Sequence, residues 1–303
     1  MRGRVDWRTT LVLSTAPSPW HNNSFIPGSA QFPPDLIYAH NARMSTSSLP
    51  PGVERARLTA AFDALLQPER FHDYGPNGLQ VEGRPRVRKL VSGVTASRAL
   101  IEAAIEAGAD AILVHHGLFW RGQDGTVTGW MKERLRLLLA HDINLWAYHL
   151  PLDAHPTLGN NAQLGRVLGL ATQARFGEHD LGCIGQREDG GAFADAQALA
   201  AHLEHAFKRP VLRVGETRDA IKKIAWCSGG AQDWFDAAIA AGAQAFITGE
   251  LSEPQTHLAR ECGVLFYACG HHATERYGAP ALAAQVAAEL GLAHQFIDIE
   301  NPA

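Results

Sequence analysis

The sequence AAIEAGADA at residues 103–111 recurs as AAIAAGAQA at residues 237–245. A short apolar strand pattern precedes each copy, and another follows it. Chance similarity between alanine-rich helices is the alternative explanation, but the matched strands on both sides argue against it. Alternating strands and helices are typical of an α/β fold with functional residues at the strand ends. We therefore predict two similar α/β units with mixed sheets, packed so that equivalent strand ends meet at a cleft between them.

The rest of the chain divides around this repeat. Residues 1–51 contain Pro, Ser, Asn and Trp in no helical or strand period, which predicts a disordered N-terminal extension. Met44 resembles a natural start, and a transit peptide is the alternative, because the segment is poor in acidic residues. We predict a first α/β unit at 52–168, an intervening hairpin and helix region at 169–218, and a second unit at 219–303. The C-terminal segment of the second unit is expected to pack back on the first.

Composition limits the class of protein. The chain has 303 residues, 46% of them hydrophobic, which suffices for one large or two ordinary domains. The net charge of −4 gives no electrostatic reason for a nucleic-acid or anionic-membrane partner. No stretch approaches the roughly 18 apolar residues of a membrane span. Four cysteines without a C-x-x-C pair favour a reducing, cytoplasmic location over a disulfide framework or a zinc knuckle.

Two pairs of adjacent histidines are the first candidates for chemistry. His115 and His116 close the apolar run at residues 111–114, and His271 and His272 form the second pair. Neighbouring strand residues point to opposite faces, so a pair inside a strand would not converge. At a strand end followed by Gly, as here, both imidazoles can enter a cleft and contact two neighbouring ions. A buried core histidine is the alternative for each.

Carboxylates accompany these histidines. His271 and Glu275 are four residues apart and share a face if a helix begins near Ala273, whereas His272 would point elsewhere. An ordinary helix N-terminus is the alternative for this segment. Asp153 follows another strand end, where a plain turn aspartate is an equally good explanation. Glu250 lies in the second copy of the repeat where His116 lies in the first, as a general base or a partner of a metal ligand.

Five motifs occur in order along the chain. They are DYGPNGLQ at 73–80, HHG at 115–117, HLPLD at 149–153, TGE at 248–250 and GHHATE at 270–275. Together they resemble the Nif-three-like dinuclear metal-centre proteins, whose members are commonly named GTP cyclohydrolase I type 2 homologues. The resemblance covers essentially the whole chain beyond the N-terminal extension. It implies two similar α/β domains and a ring-shaped homohexamer whose metal sites face an internal cavity.

The resemblance also implies a cofactor and its ligands. Two divalent ions per subunit would be bound, one by His116 and Asp153 and the other by His115 and His271. Glu275 would bridge both ions. Imidazole and carboxylate suit iron, zinc and manganese alike, so this ligand set does not identify the metal.

The implied activity is that of a metal-dependent hydrolase with a nucleotide-like substrate. For GTP this means hydrolytic opening of the imidazole ring with release of formate, and we expect Glu275, His149 and Glu250 to take part, the last two by moving protons. A phosphoesterase is one alternative, and a non-catalytic metal-binding regulatory or assembly protein is another. Five side chains for two ions leave coordination positions open, which favours an enzyme. No Walker-type GK[ST] loop occurs.

Overall fold

Two mixed β-sheets, each covered by helices on both faces, organise the part of the chain that the structure describes. A computed structural model describes residues 51–303, so the predicted extension, apart from Pro51, lies outside the described residues. The strands are β1 Val53–Glu54, β2 Gly78–Val81, β3 Arg86–Val87, β4 Lys89–Ser92, β5 Ala111–Val114, β6 Asn144–Ala147, β7 Leu170–Phe176, β8 Gly182–Arg187, β9 Leu212–Val214, β10 Ile224–Trp226, β11 Ala245–Thr248, β12 Leu265–Ala268 and β13 Ala293–Phe296. The helices are α1 Arg55–Leu66, α2 Arg98–Glu106, α3 Gly129–Ala140, α4 Leu150–Ala154, α5 Asn160–Val167, α6 Ala196–Phe207, α7 Phe235–Ala240, α8 Glu253–Cys262, α9 His271–Glu275 and α10 Gly278–Leu290.

The first sheet has the strand order β13-β4-β5-β6-β2. Strands β13, β4, β5 and β6 run parallel, and β2 closes one edge in the antiparallel direction. Successive residues of β5 alternate between two cores, as strand geometry requires. Ile112 and Val114 pack with α2 and α3, whereas Leu113 packs with α1 and α10. Because both faces are covered, the whole of β5 is apolar and buried.

The second sheet has the order β7-β8-β10-β11-β12-β9. Its centre, β10-β11-β12, is parallel, and its two edges are antiparallel. Helix α6 covers one face, where Leu199 and Leu203 pack against Trp226. Helices α7 and α8 cover the other face, where Phe235 packs against Phe246. The intervening region at 169–218 thus supplies both edges of this sheet. The mixed α/β architecture agrees with the fold class predicted from the sequence.

The two repeated stretches have the same local structure. Each ends a helix and leads into the central strand of a sheet, in the order β4-α2-β5-α3-β6 and β10-α7-β11-α8-β12. Gly108 and Gly242 have φ of +69° and +79°, a region that favours glycine. Their amides donate to Ile105 and Ile239, respectively, which closes the helix in the same way in both copies.

The C-terminal elements return to the first sheet. Strand β13 pairs in parallel with β4 along its whole length. Helix α10 is apolar nearly all round, and its Leu282 and Val286 join the core formed by α1. No helix within residues 51–303 combines the length and apolar character of a membrane span. All four cysteines are free, and only Cys262 is exposed.

Candidate metal centre

The first two candidate ligands leave the end of β5. His115 is fully buried, and its Nδ1 donates to the carbonyl oxygen of Tyr148 at 3.1 Å. A carbonyl can only accept, so Nδ1 carries a proton and Nε2 is the ring atom left to face the cluster. His116 contacts Thr95 through its own Nδ1 at 3.1 Å. Both rings therefore turn Nε2 towards the second half of the chain.

Helix α9, in the second half of the chain, carries the candidate ligands that lie opposite His115 and His116. It begins at His271, two residues before the expected start at Ala273, because Gly270 with φ of +103° turns the chain into it. The expected common face forms, with His271 Nε2 3.1 Å from Glu275 Oε2. Glu250 Oε1 accepts from His271 Nδ1 at 2.6 Å, so it orients this ring.

Glu275 lies at the centre of the cluster. Its Oε1 is 3.5 Å from His115 Nε2, and its Oε2 is 3.2 Å from His116 Nε2. Asp153 reaches the same place from α4, with Oδ1 3.6 Å from His115 Nε2. The structure thus brings together the predicted ligands His115, His116, Asp153, His271 and Glu275.

The grouping of these ligands in the structure differs from the pairing that the resemblance implied. One compact group is His115, Asp153 and Glu275, and another is His116, His271 and Glu275. The expected pairs were His116 with Asp153 and His115 with His271. The backbone turn after β5 aims His115 at α4 and His116 at α9, which spacing in the sequence cannot reveal. Glu275 belongs to both groups, as a bridging carboxylate would.

Two buried ligand atoms indicate that a cation fits. His115 Nε2 and Glu275 Oε2 are shielded from solvent and form no well-oriented hydrogen bond among the described residues, although His271 Nε2 and His116 Nε2 lie 3.1 and 3.2 Å from Glu275 Oε2. A buried polar atom left unsatisfied costs about 1–3 kcal/mol, and more for a charged group. Because imidazole nitrogen and carboxylate oxygen are ligands for borderline divalent metals, such ions would satisfy both atoms.

The charges of the cluster depend on one another. Burial disfavours the charged form of His115, but Asp153 and Glu275 more than offset this and raise its pKa to about 9. The same balance of burial against Glu275 and Glu250 raises the pKa of His271 to about 9. Burial lowers the pKa of His116 to about 3.

The two buried carboxyl groups respond in opposite directions. Burial raises the pKa of Asp153, against the opposing effect of His115. Burial also acts to raise the pKa of Glu275, but the imidazoles of His116 and His115 hold it well below its ordinary value. Glu275 is therefore the carboxylate that stays ionised in the centre, as a bridging ligand must.

Polar side chains behind the ligands hold Asp153 in place, and sequence reasoning missed their role. Asn160 Nδ2 donates to Asp153 Oδ1 at 2.9 Å, and Ser228 Oγ approaches the same oxygen at 3.4 Å. The Oδ1 of Asn160 accepts from the backbone amide of Gly278. Asn160 therefore connects a ligand on α4 with the helix that follows α9. No local signal in the sequence marks this contact.

Gly229 leaves the space that Glu275 occupies. A Cβ at this position would lie 1.9 Å from Glu275 Oε1 and 3.2 Å from His271 Nε2. The φ of Gly229 is +68°, which also favours glycine. Both the backbone conformation and the close approach of the ligand thus require a residue without a side chain here.

His149 stands beside the five ligands. Its ring centroid lies 4.9 Å from that of His115 and 5.8 Å from that of His116. Asp73, from the motif at 73–80, contacts His149 Nδ1 with Oδ1 at 2.6 Å. The motif was visible in the sequence, but nothing in it pointed to a contact with His149.

A small opening lies on this side of the centre. His115 and His149 line it, together with Gln80 and Trp120. Trp120 meets His149 edge-on with ring centroids 5.1 Å apart. The side chains around the opening are therefore the indole of Trp120 and the imidazoles of His115 and His149.

Two further histidines, His272 and His257, are not part of the cluster. His272 turns away as expected, and its Nε2 contacts Asp298 at 2.9 Å. His257 is exposed on α8 and pairs with Glu253. Because it is exposed and belongs to none of the ligand groups, it is a suitable control for substitutions in the cluster.

The fold and this cluster define an α/β protein with a candidate histidine–carboxylate metal centre between two sheets. The sequence profile of the Duf34/NIF3 (NGG1p interacting factor 3) family matches residues 53–302. The chain therefore belongs to the Duf34/NIF3 family, as its motifs predicted.

Comparisons with individual proteins support this family membership. A protein of Neisseria meningitidis serogroup A named GTP cyclohydrolase 1 type 2 homolog is 54% identical over 241 residues, 78% of this chain and 94% of that one. The solved structure of protein ybgI, titled as of unknown function, is 45% identical with a TM-score of 0.79 and covers 83% of this chain and 100% of its own. A solved protein of Thermus thermophilus is 34% identical with a TM-score of 0.73, over 83% of this chain and 100% of its own.

Proposed function

We propose that this chain is a dinuclear metal-dependent hydrolase that acts on a nucleotide-type substrate. The observation that carries the proposal is the pair of buried ligand atoms, His115 Nε2 and Glu275 Oε2, that form no well-oriented hydrogen bond within a cluster of imidazoles and carboxylates. Relatives 44–54% identical to the chain are named GTP cyclohydrolase 1 type 2 homolog. Opening of the GTP imidazole ring is therefore the reaction we propose first.

The geometry favours one assignment of ligands. His115 and Asp153 would hold one ion, His116 and His271 would hold the other, and Glu275 would bridge them. Two such ions lower the pKa of a bound water and polarise substrate oxygen atoms. Iron, zinc and manganese all remain candidates, because each accepts this mixture of nitrogen and oxygen ligands.

The chain's own residues would position the substrate and move protons. His149 lines the opening together with His115, where its Nε2 can take a proton from an attacking water and return it to a leaving nitrogen. Trp120 offers an apolar wall against which a flat purine can lie. Glu250 would keep His271 oriented through the 2.6 Å contact rather than move protons itself.

Open coordination favours a catalytic role over a purely structural or regulatory one. Each ligand group supplies only three side chains, which leaves positions for water and substrate, whereas structural sites are closed by the protein. Phosphoester hydrolysis needs the same two-ion arrangement, so it is the alternative reaction to be tested alongside ring opening.

The test is an activity panel on metal-loaded protein. We expect turnover of GTP or of a phosphoester, and we expect Glu275→Gln and His116→Ala each to lose most of their bound metal and their activity. His257→Ala, on the exposed face of α8, should retain both. Metal content is measured by mass spectrometry on the same samples. An inactive wild type, or full activity in both cluster variants, would reject the hydrolase proposal.

We further propose a cytoplasmic homohexamer. Large apolar side chains are exposed at Trp130, Val127 and Leu139, at 57%, 54% and 62%, respectively, which supports burial against another subunit. Light scattering coupled to gel filtration should give six times the subunit mass, and a monomer would reject this part of the proposal.

A further inference from the structure

The side chain of Asp73 is buried, and its two carboxylate oxygens serve four donors. Oδ1 accepts from the backbone amide of Tyr74 at 2.6 Å and contacts His149 Nδ1, also at 2.6 Å. Oδ2 accepts from Asn77 Nδ2 at 2.9 Å and from the backbone amide of Leu150 at 2.8 Å. Only 2% of the side chain is exposed. A turn aspartate on the surface normally accepts one or two hydrogen bonds, so the four donors around this buried side chain indicate a further role.

These contacts fix His149 from two sides. Asn77 Oδ1 accepts from the backbone amide of His149 at 2.7 Å, while Asp73 holds the ring. Burial alone would raise the pKa of Asp73, but the hydrogen bond to His149 and the other donors lower it to about 2. An ionised carboxylate can only accept, so the proton of the shared hydrogen bond lies on His149 Nδ1.

The remaining nitrogen of His149 faces the metal centre. One ring nitrogen from each of His115, His116 and His149 lies within 4.8 Å of the others. Tyr148 occupies Nδ1 of His115 and Asp73 occupies Nδ1 of His149, so Nε2 is the atom that each of these two directs inward. A lone pair on His149 Nε2 is thereby presented to whatever is bound there.

We propose that Asp73 is a positioning residue that holds His149 in the Nδ1–H tautomer and so keeps a bare Nε2 directed at the metal centre. Its consequence for turnover rests on the proposed function, in which His149 moves protons. The tautomer itself does not, because hydrogen bonds of the metal-free protein set it. A carboxylate behind an imidazole is a known means of fixing both its orientation and its basicity.

An asparagine at position 73 should reverse the tautomer. Its single carbonyl oxygen is best placed where Oδ2 now lies, because two fixed donors, Asn77 Nδ2 and the Leu150 amide, point there, whereas only one, the Tyr74 amide, points at Oδ1. The amide NH₂ then faces His149 Nδ1, which must become an acceptor. The His149 proton moves to Nε2, and the lone pair that faced the centre is lost.

Asp110 provides a matched control. Its side chain is also 2% exposed, and it accepts from Arg84 and from the backbone amides of Arg88 and Lys89. It lies just before β5, at the opposite end of that strand from the metal centre. Asp110→Asn therefore removes a comparable buried carboxylate without touching His149.

The experiment reads the tautomer directly. The full chain, labelled with ¹⁵N-histidine and freed of metal, is studied by long-range ¹H–¹⁵N correlation, with the His149 signals assigned from their loss in His149→Gln. We expect the Nδ1–H form in the wild type and in Asp110→Asn, and the Nε2–H form in Asp73→Asn. An Nε2–H form in the wild type overturns the proposal even if Asp73→Asn fails to fold. An unchanged tautomer in folded Asp73→Asn overturns it as well.

Turnover separates this inference from the proposed function. If His149 moves protons, kcat of Asp73→Asn should fall about 100-fold or more while the metal content stays at the wild-type level. A reversed tautomer with unchanged kcat would refute the role given to His149 in the proposed reaction and leave the positioning role of Asp73 standing. A reduced kcat with an unchanged tautomer would refute the positioning role.

Discussion

Replacing Gly229 by alanine tests the geometry of the metal centre. The new Cβ would lie 1.9 Å from Glu275 Oε1, against an ordinary contact of at least 3.4 Å. The carboxylate must therefore move by about 1.5 Å, three times the roughly 0.5 Å within which a functional site tolerates displacement. The Glu275 carboxylate, which would bridge both proposed ions, is thus displaced although no ligand has been substituted.

The matched control is Gly108→Ala. Gly108 has φ of +69°, nearly the same as the +68° of Gly229, but a Cβ there would meet nothing within 4 Å. Alanine in this backbone region costs about 1–2 kcal/mol, and both variants should lose this much stability from the backbone alone. Any further difference between them reports the displaced carboxylate.

The expected size of the effect can be calculated from the stabilisation of the protein by bound metal. Zinc at 1,000 times its Kd stabilises the wild type by about 4.1 kcal/mol, and a 100-fold weaker Kd reduces this to about 1.4 kcal/mol. We expect this reduction in Gly229→Ala and none in Gly108→Ala, measured by urea denaturation with and without zinc. Chelator competition should give the same change in Kd. Equal metal stabilisation of the two variants would refute the placement of Glu275 between the ions.

Three further predictions concern protons, ligand support and the core. Because His115 and His271 have pKa values of about 9 in the metal-free protein, metal binding at pH 7 must displace protons. Affinity should rise about 10-fold per pH unit for each proton displaced, up to about pH 9, as calorimetry in several buffers can measure. Asn160→Ala removes the donor that orients Asp153 and should weaken metal binding about 10- to 100-fold by chelator competition. Phe62→Ala empties a fully buried position and should cost about 3–5 kcal/mol of unfolding free energy in urea denaturation.

Clear outcomes would contradict each of these. A metal affinity that does not change between pH 7 and 9 would show that the imidazoles are not protonated in the metal-free protein. Wild-type affinity in Asn160→Ala would show that Asp153 needs no support. A loss under about 1 kcal/mol in Phe62→Ala would show that α1 is not part of the first core.

The local sequence pattern was sufficient to predict many of the strands and helices. The apolar runs that became β5 and β11 are bounded by polar residues and glycine, so their length and burial follow from a few neighbouring positions. Their ends carry His115 and Glu250, which is why candidate ligands could be recognised before any contact was known. Helix α9 begins two residues earlier than expected, because the turn at Gly270 leads directly into it, and it ends at Glu275.

Contacts between residues far apart in the sequence could not be predicted from local patterns. Asp73 and His149 are 76 residues apart, and nothing near either residue specifies the other. The grouping of the ligands could not be obtained from the sequence for a related reason. His115 and His116 are equivalent by spacing, and only the partners of their Nδ1 atoms decide which half of the centre each faces.

The pairing of β13 with β4 has a consequence for biosynthesis. Residues Lys89–Ser92 are made early, yet one side of their backbone is completed only when Ala293–Phe296 has been translated. Until then a nascent chain presents an open apolar edge, which is prone to association with other chains. Completion of the first sheet must therefore wait for this edge strand, and a fragment that stops before it should require chaperones to remain dispersed.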